Sequence, residues 1–463
     1  MVIGAGPGGY SAAFHAADLG VEVTLVDSKE NPGGVCLFQG CIPTKALLHS
    51  AKIIRDAAQA PRFGVEFKDL HVDLKKINAH KDEVVEKLTR GLGQLRKMRK
   101  IRYIQGRASF IRSDAVTIEN PDGSRQELSY DQVILATGSC PVRLPFEPDS
   151  PRIMDSECAL NVETVPKNIL IIGGGYIGLE FASLFSDLGT TVTLVEMLPD
   201  LLMAADRDIV SILQKELSPR LAAIHTSTKV TAIKETPNGV SVAFEDKDGK
   251  TFSDEFEKVL VAVGRKPLTK NLGLENTQVT LDDHGFVKVN AQRLTTDPRI
   301  YAVGDIAGQP MLAHKATMEG VVAAEAVAGK KTAFAPRAIP SVVYTNPEIA
   351  WSGLTENEAK KQNLRVKILK FPWSASGRAV TLKRTDGLTK MIVDEQTGKI
   401  LGLAMIGESA SEMLAEGGLA IEMGATARDI ARTIHPHPTL SETLKEAADS
   451  FAGQSLNLYR PKR

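Results

Sequence analysis

Cys36 and Cys41 frame Leu37-Phe38-Gln39-Gly40 just past a glycine-rich turn, and two thiols at that separation read as a redox-active dithiol. An unbroken α-helix over the span would hold their Cα atoms about 8.7 Å apart, roughly 2 Å beyond the usual reach of a disulfide. A bridge therefore demands a distorted segment. Gly33, Gly34 and Gly40 supply the backbone freedom, and a strained, accessible disulfide is the easily reduced kind. The competing reading is two buried cysteines acting as small hydrophobes. Spacing alone does not separate the two; the motifs around the pair favour redox chemistry. Cys140 and Cys158 have no partner at a diagnostic spacing and are expected to be structural.

The chain carries a nucleotide-site pattern twice. Gly4-Ala5-Gly6-Pro7-Gly8-Gly9 follows Val2-Ile3, leads into a helical pattern through Ala12, Ala13 and Leu19, and is followed by a strand, Val21 to Val26, ending at Asp27. Gly173-Gly174-Gly175-Tyr176-Ile177-Gly178 repeats the plan, with helix through Leu188 and strand Thr191 to Val195 ending at Glu196. First glycine and terminal acid are 23 residues apart in both copies (27 − 4 and 196 − 173). The glycines let backbone approach a pyrophosphate, the helix N-terminus favours its charge, and the carboxylate accepts from ribose hydroxyls. Two dinucleotides are implied, one on Gly4, Gly6, Gly9 and Asp27, the other on Gly173, Gly175, Gly178 and Glu196. An ordinary βαβ turn that binds nothing is the alternative for each copy. Only Met1, Val2 and Ile3 precede the first turn, so either the chain starts upstream or this sheet holds a short central strand.

A length of 463 residues allows about three domains. Lys+Arg and Asp+Glu balance at 56 each, so no global field steers nucleic acid or an anionic membrane. The basic run Arg96 to Arg102 reads as a solvated helix face. Four cysteines make no structural disulfide framework in a chain this long. No stretch has the length and apolarity of a membrane span and no basic leader is evident, so cytoplasm is the default expectation.

The remaining segments divide by strand and turn signals. Residues 103 to 138 alternate like a small β meander with a turn at Asn120-Pro121-Asp122-Gly123, closing at Val133-Ile134-Leu135-Ala136-Thr137-Gly138. Val259 to Gly264 closes the second nucleotide region, and Ile300 to Asp305 is an apolar strand followed by helix from His314 to Val327. Ala335-Pro336 reads as a linker. Strands from Ile339 onward, such as Thr389 to Val393 and Ile400 to Ile406, alternate with helices as in a separate α+β unit.

Taken in order, several segments resemble the pyridine nucleotide-disulfide oxidoreductases over nearly the whole chain. They are Gly33-Gly34-Val35-Cys36 through Cys41-Ile42-Pro43-Thr44-Lys45, Gly175-Tyr176-Ile177-Gly178-Leu179-Glu180, Gly304-Asp305, Tyr344-Thr345-Asn346-Pro347-Glu348, and His435-Pro436-His437-Pro438-Thr439-Leu440-Ser441-Glu442. The resemblance implies an α/β fold with two Rossmann-like domains, for FAD and NAD, and a C-terminal α+β dimerisation domain. The expected boundaries are 1–140 for FAD, 141–265 for NAD, 266–335 returning to the FAD domain, and 336–463 for the interface.

The same resemblance implies oxidation of protein-bound dihydrolipoyl groups. Cys36 would be the thiol that exchanges with substrate and Cys41 the one against the flavin; Lys45 and Glu180 would pair beside it, and Asp305 would hold the ribityl chain. Thr137, Gly138, Ser139 and Ala313 join the implied FAD site, and Tyr176, Ile177 and Gly264 the NAD site. His437, oriented by Glu442, would be the acid/base across a homodimer interface, with the His437-Pro438 bond cis; His435 is the rival. Implied partners are lipoyl domains and the acyltransferase core of a 2-oxo acid dehydrogenase complex, or the glycine cleavage system; no metal is implied.

Glu196 with Met197-Leu198 favours NAD, since a carboxylate there accepts from a 2′-hydroxyl and repels a 2′-phosphate; Arg207 is the nearest arginine and lies too far along. No cysteine pair closes the C-terminus, so mercuric reductase and the large thioredoxin reductases fit less well than glutathione reductase, the enzymatic alternative. A flavoprotein that binds partners without catalysis is the alternative of another class. Against the family pattern, Asp27 stands where many members carry Glu, Phe38-Gln39 replaces a polar-aliphatic pair, and Pro436 replaces a small residue. None of these removes a reacting group.

Overall fold

The computed structural model describes residues 1–161 and 163–458. Its first sheet is built around a strand of two residues, Val2–Ile3. Val2 lies opposite Leu25 and Ile134, and Ile3 opposite Val26 and Leu135, so both residues are paired on both sides. Five parallel strands follow in the order Ile300–Ala302, Val133–Leu135, Val2–Ile3, Thr24–Asp27, Arg102–Gln105. Ile300–Ala302, Val133–Leu135 and Val2–Ile3 are buried throughout, as parallel strands covered on both faces are, whereas the edge strand Arg102–Gln105 buries only Ile104. The crossover helix α1 (Pro7–Asp18) starts on a proline, which suits the first helical turn, and buries Gly8, Gly9, Ala12, Ala13 and Ala16. Glycines bring it against a later helix, Ala313–Val327: a Cβ on Gly320 would stand 2.3 Å from the Gly8 carbonyl oxygen.

The meander expected over 103 to 138 is smaller than its alternation suggests. Arg102–Gln105 and Val133–Leu135 belong to the parallel sheet, and only Arg107–Arg112, Ala115–Glu119 and Arg125–Ser129 pair antiparallel. Alternation marks a strand, and the partner across the ladder decides its sheet. The turn between the last two falls as expected, with Gly123 at φ +81 and its N–H donating to Asn120.

The second sheet repeats the first in the order Ala223–His225, Thr191–Val195, Asn168–Ile172, Lys258–Val261, Ile153–Met154, all parallel. A ribbon of Ser139–Pro141 against Arg265–Pro267 joins the two units. The C-terminal sheet is antiparallel, in the order Ser341–Val343, Glu348–Gly353, Ile400–Gly407, Leu388–Asp394, Val366–Pro372. One apolar core runs through all three units: Leu47 and Ala51 from the first, Leu179 and Leu213 from the second, and Val343, Ile349 and Ile406 from the third. Among the described residues no helix is long and apolar enough to cross a membrane.

Two glycine substitutions separate packing from propensity. Gly320→Ala forces a methyl onto the Gly8 carbonyl and is expected to destabilise by about 1–3 kcal/mol. Gly91→Ala meets nothing within 4 Å inside the long helix α4 (Leu74–Met98) and is expected to stabilise by about 0.5–1 kcal/mol. Denaturant unfolding of the two variants should show these opposite signs.

Candidate active site

The dithiol lies where one helix stops and the next begins. Helix α2 (Gly34–Gln39) ends, Gly40 departs from helical geometry at φ −150 and ψ −114, and α3 (Cys41–Gln59) starts on the second cysteine. The segment is therefore broken in the way a bridge requires. Gly34, at φ +61, packs backbone to backbone on the first glycine turn: a Cβ there would stand 2.4 Å from Gly6 Cα. Thr44 Oγ1 donates to the Gly40 carbonyl at 2.6 Å and fixes the break.

Both cysteines carry free thiols, and the two differ. The hydrogen bond from Cys36, aided by the Lys45 charge, outweighs burial and lowers Cys41 to about 7. Cys36 is pushed up, first by donating that bond and then by burial. The thiolate therefore sits on Cys41 while Cys36 holds the proton.

Lys45 Nζ donates to both Glu180 oxygens, at 2.9 and 2.8 Å. Glu180 is buried on α5 (Tyr176–Asp187) and also accepts from the Tyr344 N–H at 3.0 Å. The Lys45 ammonium lies 4.5 Å from the centre of the Tyr344 ring. Burial alone would lower the Lys45 pKa, but Glu180 more than offsets it and the net direction is up. A role for Tyr344 was not legible in sequence, because its contacts come from two other units.

The two glycine turns make the same close approaches. A Cβ on Gly4 would meet the Ala136 carbonyl oxygen at 2.3 Å, and one on Gly173 the Ala262 carbonyl oxygen at 2.4 Å. Gly9 and Gly178 approach the carbonyls of Gly4 and Gly173 so closely that a Cβ would fall within 1.8 and 1.9 Å of them. Asp27 accepts from the Ala5 N–H at 2.6 Å and from Lys29 N–H at 2.9 Å, as Glu196 does from Gly174 at 2.6 Å and Leu198 at 2.7 Å. Each acid thus ties down its glycine turn, a task the sequence reading had not assigned it. Gly6 and Gly175 cap α1 and α5 without any side-chain hydrogen bond, which leaves backbone N–H donors at both helix N-termini for a pyrophosphate. A Cβ on Gly175 would meet nothing within 4 Å, so backbone approach there is open. FAD at the first turn and NAD at the second fit these features. Arg207 is committed elsewhere, donating to the carbonyls of Leu201, Leu202 and Ala205.

Asp305 sits in a turn, Gly304–Ala307, between the strand and the helix that starts at Ala313. Ser139 Oγ donates to its Oδ2 at 2.6 Å, and Arg265 Nε to Ser139 Oγ at 2.8 Å. Beneath the turn, fully buried Glu319 accepts from the Gly304 N–H at 2.6 Å and pairs with Arg293 at 3.0 Å and Lys315 at 3.1 Å. Sequence reasoning missed this cluster; the one local signal was the i, i+4 spacing of Lys315 and Glu319. Thr137 Oγ1 donates to the Leu268 carbonyl, and Gly138 (φ +75) and Gly264 (φ +128) flank the joining ribbon in backbone that favours glycine. Tyr176 is 40 % exposed, its hydroxyl pushed up to about 12 by burial, with Arg265, Asp305, Cys41 and Glu180 all near enough to act on it. Ile177 beside it packs on the shared core.

The two C-terminal histidines have different partners. His437 Nδ1 meets Glu442 Oε1 at 2.9 Å, and the Thr439 N–H donates to the other Glu442 oxygen at 2.8 Å. His435 pairs with Glu416 at 2.8 Å and its side chain is 4 % exposed, whereas that of His437 is 79 % exposed. Burial would raise Glu442, but Thr439 and His437 prevail and hold it below the ordinary carboxylate range. The His437-Pro438 peptide is cis.

Residues 1–320 match the model of the pyridine nucleotide-disulphide oxidoreductases, and residues 339–448 match that family's dimerisation domain. The chain is 46 % identical to a dihydrolipoyl dehydrogenase of Haemophilus influenzae, over 100 % of this chain and 96 % of the relative. It is 45 % identical to one of Thermus scotoductus, over 99 % and 98 %. Among solved structures it is similar to LpdA of Mycobacterium tuberculosis, with a TM-score of 0.90 at 27 % identity over 97 % of this chain and 98 % of that one. The HOCl-induced flavoprotein disulfide reductase RclA of Escherichia coli follows, with a TM-score of 0.86, 27 % identity and the same coverage.

Because the Lys45 charge helps lower Cys41, Lys45→Met should move formation of the Cys41 thiolate to higher pH. Alkylation rate against pH measures this, in a Cys36→Ser background where the serine hydroxyl keeps a donor. An unchanged midpoint would remove Lys45 as a cause.

Proposed function

The chain belongs to the pyridine nucleotide-disulphide oxidoreductase family, and we propose that it oxidises protein-bound dihydrolipoyl groups to lipoyl disulfide with NAD⁺ as final acceptor. Its cofactors are FAD and NAD. The observation that carries this reading is the opposed poise of Cys36 and Cys41 beside the Lys45–Glu180 pair, in a chain aligned from end to end with dihydrolipoyl dehydrogenases.

In the oxidised protein a substrate thiolate attacks Cys36 Sγ; a mixed disulfide forms, the Cys36–Cys41 bond breaks, and the electron pair leaves on Cys41. Cys41 suits the leaving role because its thiolate is the stabilised one. The second substrate thiol, deprotonated, then expels Cys36 and closes the lipoyl disulfide. Each substrate proton needs a base near neutrality, which His437 supplies with Glu442 orienting its ring. FAD, when bound, would supply the two-electron chemistry that links the reduced dithiol to NAD⁺. For that purpose Gly4, Gly6, Gly9 and Asp27 would hold its adenosine and pyrophosphate and Asp305 its ribityl chain. Gly173, Gly175, Gly178 and Glu196 would hold NAD, with Tyr176 covering the junction. The carboxylate of Glu196 disfavours a 2′-phosphate.

The C-terminal unit is the family's dimerisation domain and the protein is a homodimer; Leu419, Met423 and Ile434 stand exposed on that unit. The His437 side chain is 79 % exposed on its own protomer, as a base that serves the dithiol of the other subunit would be. The source of the lipoyl groups would be lipoyl domains around the acyltransferase core of a 2-oxo acid dehydrogenase complex, or the glycine cleavage system.

Dihydrolipoamide should bleach the yellow holoenzyme anaerobically where glutathione does not, and kcat/KM for NAD⁺ should exceed that for NADP⁺ by about a hundredfold. Efficient glutathione oxidation, or equal use of the two acceptors, overturns the assignment. Cys36→Ser and His437→Gln homodimers should each be inactive with FAD retained, while their heterodimer has one intact site and regains activity. Verified heterodimers with no recovery would exclude action across the interface.

A further inference from the structure

Lys390 lies in the C-terminal sheet with 1 % of its side chain exposed, yet its ammonium leaves that unit. It reaches Asp206 at 2.8 Å and Asp208 at 2.9 Å, around the start of the second unit's helix Arg207–Leu217, and Glu356 as well. The Glu356 N–H donates to Asp206 Oδ1 at 3.0 Å, and Lys370 pairs with Asp208 at 2.6 Å. Asp206, Asp208 and Glu356 are close enough together to hold a metal ion. Lys390 Nζ, however, already stands among them, so the cluster is an ion-pair seam between two units. Burial opposes the ammonium, but its bonds to Asp206, Glu356 and Asp208 prevail and keep the lysine charged.

The loop over 197–206 connects Glu196 to this seam and folds back on the second glycine turn. Leu202 N–H donates to the Gly174 carbonyl at 3.1 Å, and a Cβ on Gly174 would meet Leu201 Cδ2 at 2.5 Å. Arg207 closes the loop from within, at 2.8 Å to the Leu201 carbonyl and 2.7 Å to that of Ala205. Gly174 in turn donates to Glu196. An unbroken chain of contacts therefore runs from Lys390 through Asp206 and the loop to Gly174 and Glu196.

We infer that the Lys390–Asp206–Asp208–Glu356 cluster is a positioning device for the nicotinamide nucleotide: the dimerisation unit, through Lys390, fixes the loop that backs the second glycine turn. The inference rests on reading Gly173 to Gly178 and Glu196 as the NAD cradle. Loosening the seam lets the loop drift and weakens NAD⁺ binding, while the dithiol and the first nucleotide site, held by other contacts, are unaffected.

The test is steady-state kinetics of flavin-loaded dimers, with KM for NAD⁺, KM for dihydrolipoamide and kcat measured separately. Lys390→Met, which leaves three acids facing one another, should raise KM for NAD⁺ about tenfold or more, with kcat at saturating NAD⁺ within about twofold of wild type. That change strands buried charge and can cost the fold, so Asp208→Asn, which breaks fewer links, is the second variant. It should raise KM for NAD⁺ about threefold with flavin content and KM for dihydrolipoamide unchanged. An unchanged KM for NAD⁺ in Asp208→Asn, or equal rises for both substrates, overturns the positioning role. Glu196→Ala tells the two failures apart: if it too leaves KM for NAD⁺ unmoved, the fault lies in the cradle assignment.

Discussion

A single buried carboxylate gathers this molecule. Glu180 takes both its oxygens to the Lys45 ammonium and a further bond from the Tyr344 N–H, so α3, α5 and the entry to the C-terminal sheet converge on one side chain. Such a pair is weak as a source of net stability, because desolvation consumes most of the Coulombic gain. Removing one partner is a different matter and costs about 3–5 kcal/mol. The pair therefore fixes the relation of units that fold around separate sheets. Lys45 sits one helical turn past Cys41, and that proximity makes the two sulfurs unequal.

The duplicated glycine turns follow the same economy of contacts. In each, one glycine lies against the carbonyl of the neighbouring strand and another against the carbonyl of the first, so both approaches exclude any side chain. The acid at the end of the second strand then ties the loop by its backbone N–H. The turn is thus rigid before any nucleotide arrives, and the uncapped helix N-termini present their donors without reorganisation.

Around these sites one apolar cluster spans all three units. Leu47 of α3, Leu179 of α5 and Val343 with Ile406 of the C-terminal sheet belong to one cluster. The ribbon of Ser139–Pro141 and Arg265–Pro267 carries the chain between the nucleotide units, and Arg265 uses it to reach Ser139 and, through it, Asp305. Burial supplies adhesion between units, and directional hydrogen bonds supply register.

The sequence alone determined what is local. Backbone that must approach a phosphate or another carbonyl admits only glycine, so Gly4, Gly9, Gly173 and Gly178 with their equidistant acids marked both turns. Gly33, Gly34 and Gly40 marked the break in the dithiol helix for a different reason, the backbone freedom that glycine brings. The two-residue strand Val2–Ile3 was readable as a possibility, and its neighbours on either side settled that the sheet holds it. Tertiary structure decided what depends on distant partners. Alternation could not say that Arg102–Gln105 leaves the meander for the parallel sheet, since a strand's pattern encodes its buried face and not its neighbour. Nor could it show Glu319 beneath the Gly304 turn, Tyr344 against Glu180, or Glu416 rather than the dithiol as the partner of His435. Tyr344 reaches Glu180 by the packing of one unit on another, and the other contacts join separate elements within one unit.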